Sequence, residues 1–177
     1  MPDDVPGELL QGFVHGDQRA FESLFRLFEV EVYRWILRIV RDPGAAEDVV
    51  IEAFWRAYRG RARVDASRSF GAWMRRIATN AALDHLRASR SRAARHPIEE
   101  RVPAPAGADR DIGECISLAF RRLPPRLLVV ATLALIEEQP YVEIADALDL
   151  PLGTVKSRVF RAIRMLRQEL ARLGVQP

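Results

Sequence analysis

The residues best equipped for chemistry stand near the C-terminus, where Thr154, Lys156, Ser157, Arg158, Arg161 and Arg164 line up hydrogen-bond donors along one stretch. Arginine's flat fork matches phosphate oxygens and base edges. Donors gathered at the start of a second helix serve readout of a duplex major groove. Phe160, in their midst, either meets a thymine methyl or is partly buried, and burial is the preferred reading. A second constellation, Asp48, Ile51, Glu52 and Trp55, puts acidic groups around two large apolar side chains, a pattern suited to a protein partner. The other reading folds Trp55 under a neighbouring loop and leaves Glu52 paired with Arg56 four residues on. In a third, Arg61, Arg63 and Arg68 precede a segment carrying Arg75, Arg76, Asn80, Arg87 and Arg90. Cations around a central amide suit single-stranded or distorted DNA. Trp73 beside them is read as core rather than as a stacking platform.

Such side chains need helices to hold them, and helical spacing dominates the chain. A first helix is predicted over about 5–14, ended by Gly16-Asp17. Phe21, Leu24, Phe25, Phe28, Val32, Ile36, Leu37 and Val40 mark a second, stopped at Asp42-Pro43-Gly44. A third runs over about 45–58, burying Ala46, Val49, Val50, Ala53, Phe54 and Ala57. After a polar loop, 59–67, a fourth spans about 69–91. Residues 94–111 hold Pro97, Pro103, Pro105 and Gly107 without periodicity and read as a linker. Beyond it, helices are predicted over about 113–122, 125–137, 141–148 and 151–173, with Pro125 and Pro151 in first turns, where a missing N–H costs nothing. The expected fold is all-α: two small helical domains, 1–93 and 112–177, joined by a flexible linker.

The last two helices form a helix-turn-helix pattern. Ile144, Leu148, Leu150, Val155 and Val159 are apolar where crossed helices pack, and Ala145 is small where backbones approach. Asp149 takes the turn position, which demands a left-handed backbone that Asp tolerates. Val155, Val159, Ile163, Leu166 and Leu170 make the buried stripe of the second helix. The competing reading is a helical hairpin with a solvated basic face.

Charge and composition narrow the class. The 177 residues carry a net charge of +3, distributed as net −4 over 1–59, +7 over 60–96, −2 over 97–111, −3 over 112–149 and +5 over 150–177. Two basic blocks, each behind an acidic one, suit two polyanion-binding surfaces. The longest apolar run, Leu127 to Ile136, is about half a membrane span. The start, Met1-Pro2-Asp3-Asp4, lacks the basic and apolar regions of a signal peptide, so a cytoplasmic protein without membrane insertion is expected. One cysteine, Cys115, excludes a disulfide framework and reads as a packing residue. His15, His85 and His96 have no metal-ligand spacing. No phosphate-cradling loop or nucleophile elbow appears, so no enzyme, metal or cofactor is expected.

Four motifs in order carry a family resemblance: Gly16-Asp17 with Phe21 and Ala46-Glu47-Asp48-Val49-Val50 with Glu52-Ala53-Phe54; Phe70-Gly-Ala-Trp-Met-Arg-Arg-Ile-Ala-Thr-Asn80 with Leu83-Asp84-His85-Leu86-Arg87; Leu123-Pro124-Pro125-Arg126; and Gly153-Thr154-Val155-Lys156-Ser157-Arg158. The chain resembles the extracytoplasmic-function (ECF) sigma factors, promoter-recognition subunits of bacterial RNA polymerase, over nearly all its length. The resemblance implies that Asp48, Ile51, Glu52 and Trp55 bind core polymerase at the clamp helices of its largest subunit, with a further contact to the flap. It implies that Arg61, Arg63, Val64, Arg68, Arg76, Asn80 and Arg87 serve the −10 promoter element, the loop capturing a flipped base. Thr154, Lys156, Ser157, Arg158, Phe160, Arg161 and Arg164 would serve the −35 element as duplex. A separate anti-sigma factor is the family's usual control. Two departures stand out: Ile51 replaces a usual glutamine, and Val64 a frequent aromatic.

The alternative is a helix-turn-helix transcription regulator that does not replace the polymerase sigma subunit. A regulator of the response-regulator type requires an alternating β/α receiver with a phosphorylatable Asp upstream, and the helical residues 1–93 speak against it. A polymerase-binding decoy that reads no DNA is the third possibility, and the arginines near the C-terminus speak against that.

Overall fold

Helix starts in this chain are written in short polar side chains. The computed structural model describes residues 5–64, 69–95 and 111–175, so Arg68, His96 and the bulk of the expected linker lie outside the described residues. Eight α-helices are described: α1 Gly7–His15, α2 Gln18–Val40, α3 Pro43–Gly60, α4 Phe70–Arg95, α5 Ile112–Arg122, α6 Pro125–Ala131, α7 Tyr141–Leu148 and α8 Leu152–Arg172. Asp17 caps α2 by accepting from the Arg19 N–H at 2.8 Å, and Asp42 caps α3 by accepting from Ala45 at 2.8 Å, with Pro43 in the first turn. Ser69 and Asp111 do the same for α4 and α5. Each such cap contributes about 1 kcal/mol by satisfying an otherwise orphaned donor. Gly16 ends α1 in the left-handed region at φ 86°, and the Asp17 N–H returns to the Gly12 carbonyl at 2.9 Å.

Contacts divide the chain into two units, Met1–His85 with Asp146–Asp149 and Leu86–Ala145 with Leu150–Pro177. In the first, the predicted stripe of α3 is the buried stripe, Ala46, Val49, Val50, Ala53, Phe54 and Ala57. It packs against α2, where Leu24, Phe28, Val32 and Ile36 are buried. Full burial of each of these large side chains contributes about 1.5–3 kcal/mol. Phe13 of α1 gathers an aromatic cluster, with ring centroids 5.7 Å from Phe70 and 6.4 Å from Trp73. Trp73 is half-buried there, packed against Phe13 and Phe70 and less enclosed than the core position expected of it.

The second unit packs α5, α6 and α8 through Ala119, Phe120, Leu123, Leu128, Ala131, Ala162 and Leu166. Glu169 of α8, its side chain 13% exposed, ties α5 down by accepting from Arg122 at 2.6 Å and also receives Arg172 at 2.8 Å. The helix-turn-helix has the local chemistry anticipated for it. Asp149 is left-handed at φ 52°, and Ile144, Ala145, Val155 and Val159 are buried.

Four details differ from the sequence reading. The polar loop starts later, because α3 runs on to Gly60 and a 3₁₀ turn follows at Arg61–Arg63. The predicted helix over 125–137 changes ladder at Thr132, where a π turn to Ile136 begins and the Glu137 N–H reaches back five residues to the Thr132 carbonyl. Pro151 stands at the N-cap of α8, one place before its first turn. On α8 the buried residue between Val159 and Leu166 is Ala162, while Ile163 is only half-buried. An alanine lets α6 come close, and spacing alone does not distinguish it from its larger neighbour.

Candidate protein and nucleic-acid interfaces

On α3, the face opposite the buried stripe exposes Asp48, Ile51 and Trp55, with the two apolar side chains 55% and 53% exposed. Trp55 is held on the surface by an edge contact to Tyr58, ring centroids 6.1 Å apart, and is not folded under a loop. Glu52 is half-exposed and shared: Arg56 donates to it at 2.7 Å and Arg59 at 3.4 Å. Arg56 also donates to Asp84 of α4 at 2.7 Å. These bonds, with Glu52 the larger cause, raise the Arg56 pKa above its ordinary value. The face thus combines an exposed apolar pair with one acidic group already balanced by cations and another, Asp48, four residues before Glu52. Its pairing of Glu52 with Arg56 matches one sequence reading and its exposed Trp55 the other.

The residues of the third, basic constellation have unlike surroundings. Arg63 is exposed and Val64 half-buried, directly after the 3₁₀ turn. Arg76 and Asn80 are exposed one helical turn apart on α4, and Arg87 continues the same row two turns on. That row lies opposite Met74, Ala78, Ala81 and Ala82, which are buried. Arg61 is different: its Nη1 donates to the Tyr58 carbonyl at 2.9 Å and its guanidinium carbon lies 4.5 Å from the Tyr58 ring centroid. Among the described residues of this set, the Arg61 fork is turned inward, onto Tyr58.

On α8, Lys156, Phe160 and Arg164 follow one another at intervals of four, so they form one exposed row. Phe160 is 69% exposed, which corrects the preference for burial. The buried stripe is completed by Ala162 and has no place for it. A neighbouring row holds Thr154 and Arg158, half-buried, with Arg161 exposed. Ser157 is half-buried and donates to the Thr154 carbonyl at 3.0 Å, which leaves its oxygen lone pairs open as acceptors. Partial desolvation lowers the Arg158 pKa, and the positive charges of Arg126 and Arg161 lower it further. Arg126, Arg158 and Arg161 therefore lie close enough for their positive charges to repel, an arrangement that an anion stabilises. Arg126 carries no site role in the sequence reading. Its signal in the sequence was its place directly after Pro124-Pro125, at the first turn of a helix that packs on α8.

No helix among the described residues is long and apolar enough to cross a membrane. No cluster of three or more His, Cys, Asp or Glu among them could hold a metal ion. Cys115 is buried, as a packing residue is.

The Sigma-70 region 2 family matches residues 24–92, and the Sigma-70 region 4 family matches residues 113–166. The chain is 29% identical over 170 residues to the ECF RNA polymerase sigma factor SigW of Bacillus subtilis, covering 88% of this chain and 91% of that one. It is 34% identical over 173 residues to the ECF RNA polymerase sigma-E factor of Escherichia coli, covering 87% and 88%. Among solved structures, CnrH in complex with the cytosolic domain of CnrY aligns over 95% of this chain and 98% of its own, with a TM-score of 0.57 and 24% identity.

Proposed function

The chain belongs to the extracytoplasmic-function sigma factors, and from that premise we propose how its surfaces divide the work of initiation. As a member, it is a bacterial RNA polymerase sigma factor that binds core polymerase and directs promoter-specific transcription. In our reading, residues 1–93 form the region 2 domain, 94–111 a flexible connection and 112–177 the region 4 domain. Asp48, Ile51, Glu52 and Trp55 grip the clamp helices of the largest polymerase subunit, and the region 4 domain meets the flap. Arg63, Val64, Arg68, Arg76, Asn80 and Arg87, on the loop that Arg61 opens and on α4, take the −10 element as single strand. Thr154, Lys156, Ser157, Arg158, Phe160, Arg161 and Arg164 read the −35 element as duplex, with Arg126 on a nearby phosphate. The protein works in the cytoplasm and is held in check by a separate anti-sigma protein.

The observation that carries this division is the exposure of Ile51 and Trp55 side by side on α3. Two large apolar groups kept in water one turn apart are an unfavourable surface unless a partner covers them. Purified core polymerase, with and without the protein, on fragments of its own genome tests the reading. New discrete transcripts that vanish with Glu52→Arg and with Arg161→Ala support it. Tight core binding with no transcript from any fragment rejects it in favour of a polymerase-binding protein that reads no promoter.

A further inference from the structure

Arg61 belongs to the basic loop in sequence but not in geometry. Its backbone N–H and its Nη1 both bond the Tyr58 carbonyl, one of the groups that the end of α3 leaves without a helical partner. The guanidinium lies over the Tyr58 ring, and it also abuts α1: a Cβ placed on Gly16 would stand 3.3 Å from Nε and 3.3 Å from Nη2. Nε is buried with no hydrogen-bond partner among the described residues, which leaves it closed to a phosphate oxygen. Nη1 is committed to a carbonyl, and Nη2 lies in the space that a side chain at position 16 would need. By contrast Arg63, two residues on, is exposed.

We propose that Arg61 is a positioning residue for the −10 loop and makes no DNA contact. Its guanidinium pegs the exit of α3 against the C-terminus of α1, and so fixes where Arg63 and Val64 project. The peg explains two features together. Glycine is favoured at position 16 by its positive φ and again by the flat group lying against it, since a side chain there crowds the guanidinium. The 3₁₀ turn closes through the Val64 N–H to the Arg61 carbonyl at 3.1 Å, so a fixed Arg61 fixes Val64 directly. Lysine does not replace this group: an ammonium has no plane to lay between a ring and a glycine.

The inference rests on the reading of this loop as a −10 contact, and two measurements separate the claims. The first is hydrogen exchange on the free protein, which involves no DNA. Arg61→Ala and Arg61→Lys are both expected to speed exchange of the Gly16, Asp17 and Val64 amides about tenfold or more, as local opening of a lost anchor does. Arg63→Ala leaves them unchanged. Unchanged amides in both Arg61 variants overturn the proposal, and having the lysine variant keeps the test alive if the alanine variant folds poorly. The second is the salt dependence of binding between the reconstituted holoenzyme and a forked probe with a single-stranded −10 strand. Arg63→Ala is expected to lower the logarithmic slope by about 0.7, the value for one phosphate contact on a single strand. Arg61→Ala lowers affinity at the same slope. An Arg61→Ala slope that falls as far as that of Arg63→Ala, with full rescue by Arg61→Lys, also overturns it. If Arg63→Ala leaves the slope untouched, the −10 reading of the loop fails, while the exchange result still decides Arg61.

Discussion

Trp35 of α2 donates from Nε1 to the Thr79 hydroxyl of α4 at 2.9 Å, and that hydroxyl donates in turn to the Arg75 carbonyl at 2.9 Å. Both residues are buried, so the one polar atom of the indole is satisfied by a partner 44 residues away. The bond fixes the rotation of α4 about its axis, because each residue turns the helix by about 100°. With Thr79 facing α2, Asn80 faces solvent, and the Arg75 guanidinium lies 5.4 Å from the Trp35 ring. A relation buried in the core thus sets which side chains of the basic helix face solvent.

The pair predicts a coupled mutant cycle. Thr79→Val leaves a buried indole N–H without an acceptor and is expected to destabilise by about 1–3 kcal/mol. Trp35→Phe removes ring area but orphans nothing, since Thr79 keeps its bond to Arg75. In the double variant the orphan no longer exists, so the combined cost falls short of the sum by about 1 kcal/mol or more. Urea unfolding of the four proteins measures this, and strictly additive costs would remove the bond from the account.

Trp55→Ala is expected to weaken core polymerase binding by about 2 kcal/mol or more, roughly 30-fold, the scale of an aromatic hot spot. Its melting temperature stays near that of wild type, because a side chain more than half exposed contributes little to the core. Glu52→Arg is a different variant. It sets a third cation beside Arg56 and Arg59, so it loses a helical ion pair worth about 0.3–0.5 kcal/mol along with any polymerase contact. Core binding by both variants at wild-type affinity would place the polymerase interface elsewhere.

What the sequence disclosed, and what it did not, follows from the range of the interactions. The α3 stripe and the left-handed Asp149 were legible because helical spacing and turn chemistry act within a few residues. An apolar ring at Phe160 suits burial and a thymine methyl alike; only the fit of Ala162 against α6 decides that the core closes without it. Arg61 looks like Arg63 in any list of loop arginines, and the difference is made by Tyr58 and by Gly16, distant in sequence at the end of α1. The partnership of Trp35 with Thr79 has no local signature at all. The π turn at Thr132 was also invisible, since apolar residues spaced for a ladder of four suit one of five nearly as well.

On α8, Arg161→Ala is expected to weaken −35 binding by about 1–3 kcal/mol, the scale of a bidentate base contact, and to narrow discrimination at one base pair. Arg158→Ala is expected to do the same without weakening the fold electrostatically, because it relieves repulsion from Arg126 and Arg161. Arg126→Ala acts otherwise: it weakens binding to all sequences alike and lowers the logarithmic salt slope by about 0.9, the signature of one duplex phosphate. Phe160→Ala lowers affinity chiefly for sites with thymine methyls in the groove. Anisotropy titrations of the holoenzyme on duplex promoter variants at several salt concentrations distinguish all four. Wild-type affinity in both Arg158→Ala and Arg161→Ala would take those residues out of the readout.

Thr132 supplies a prediction of opposite sign. The residue is 1% exposed, and its Oγ1 finds no hydrogen-bond partner among the described residues. Helical threonines ordinarily return the hydroxyl to a carbonyl three or four residues back. Here the hydroxyl makes no such bond among the described residues and is left beside the buried Val129, Val130, Ala131 and Leu133 of its own segment. Valine has the same shape with a methyl in place of the hydroxyl, so it removes an unsatisfied group and opens no cavity. Thr132→Val is therefore expected to stabilise the protein by about 1 kcal/mol, whereas Thr132→Ala, which also deletes a packed methyl, loses that gain to the space it leaves. Denaturant midpoints at an unchanged slope decide the sign. A lower midpoint for the valine variant would mean that the hydroxyl is bonded in solution, by a buried water if by nothing else, and that the π turn holds a polar site where the packing describes an apolar one.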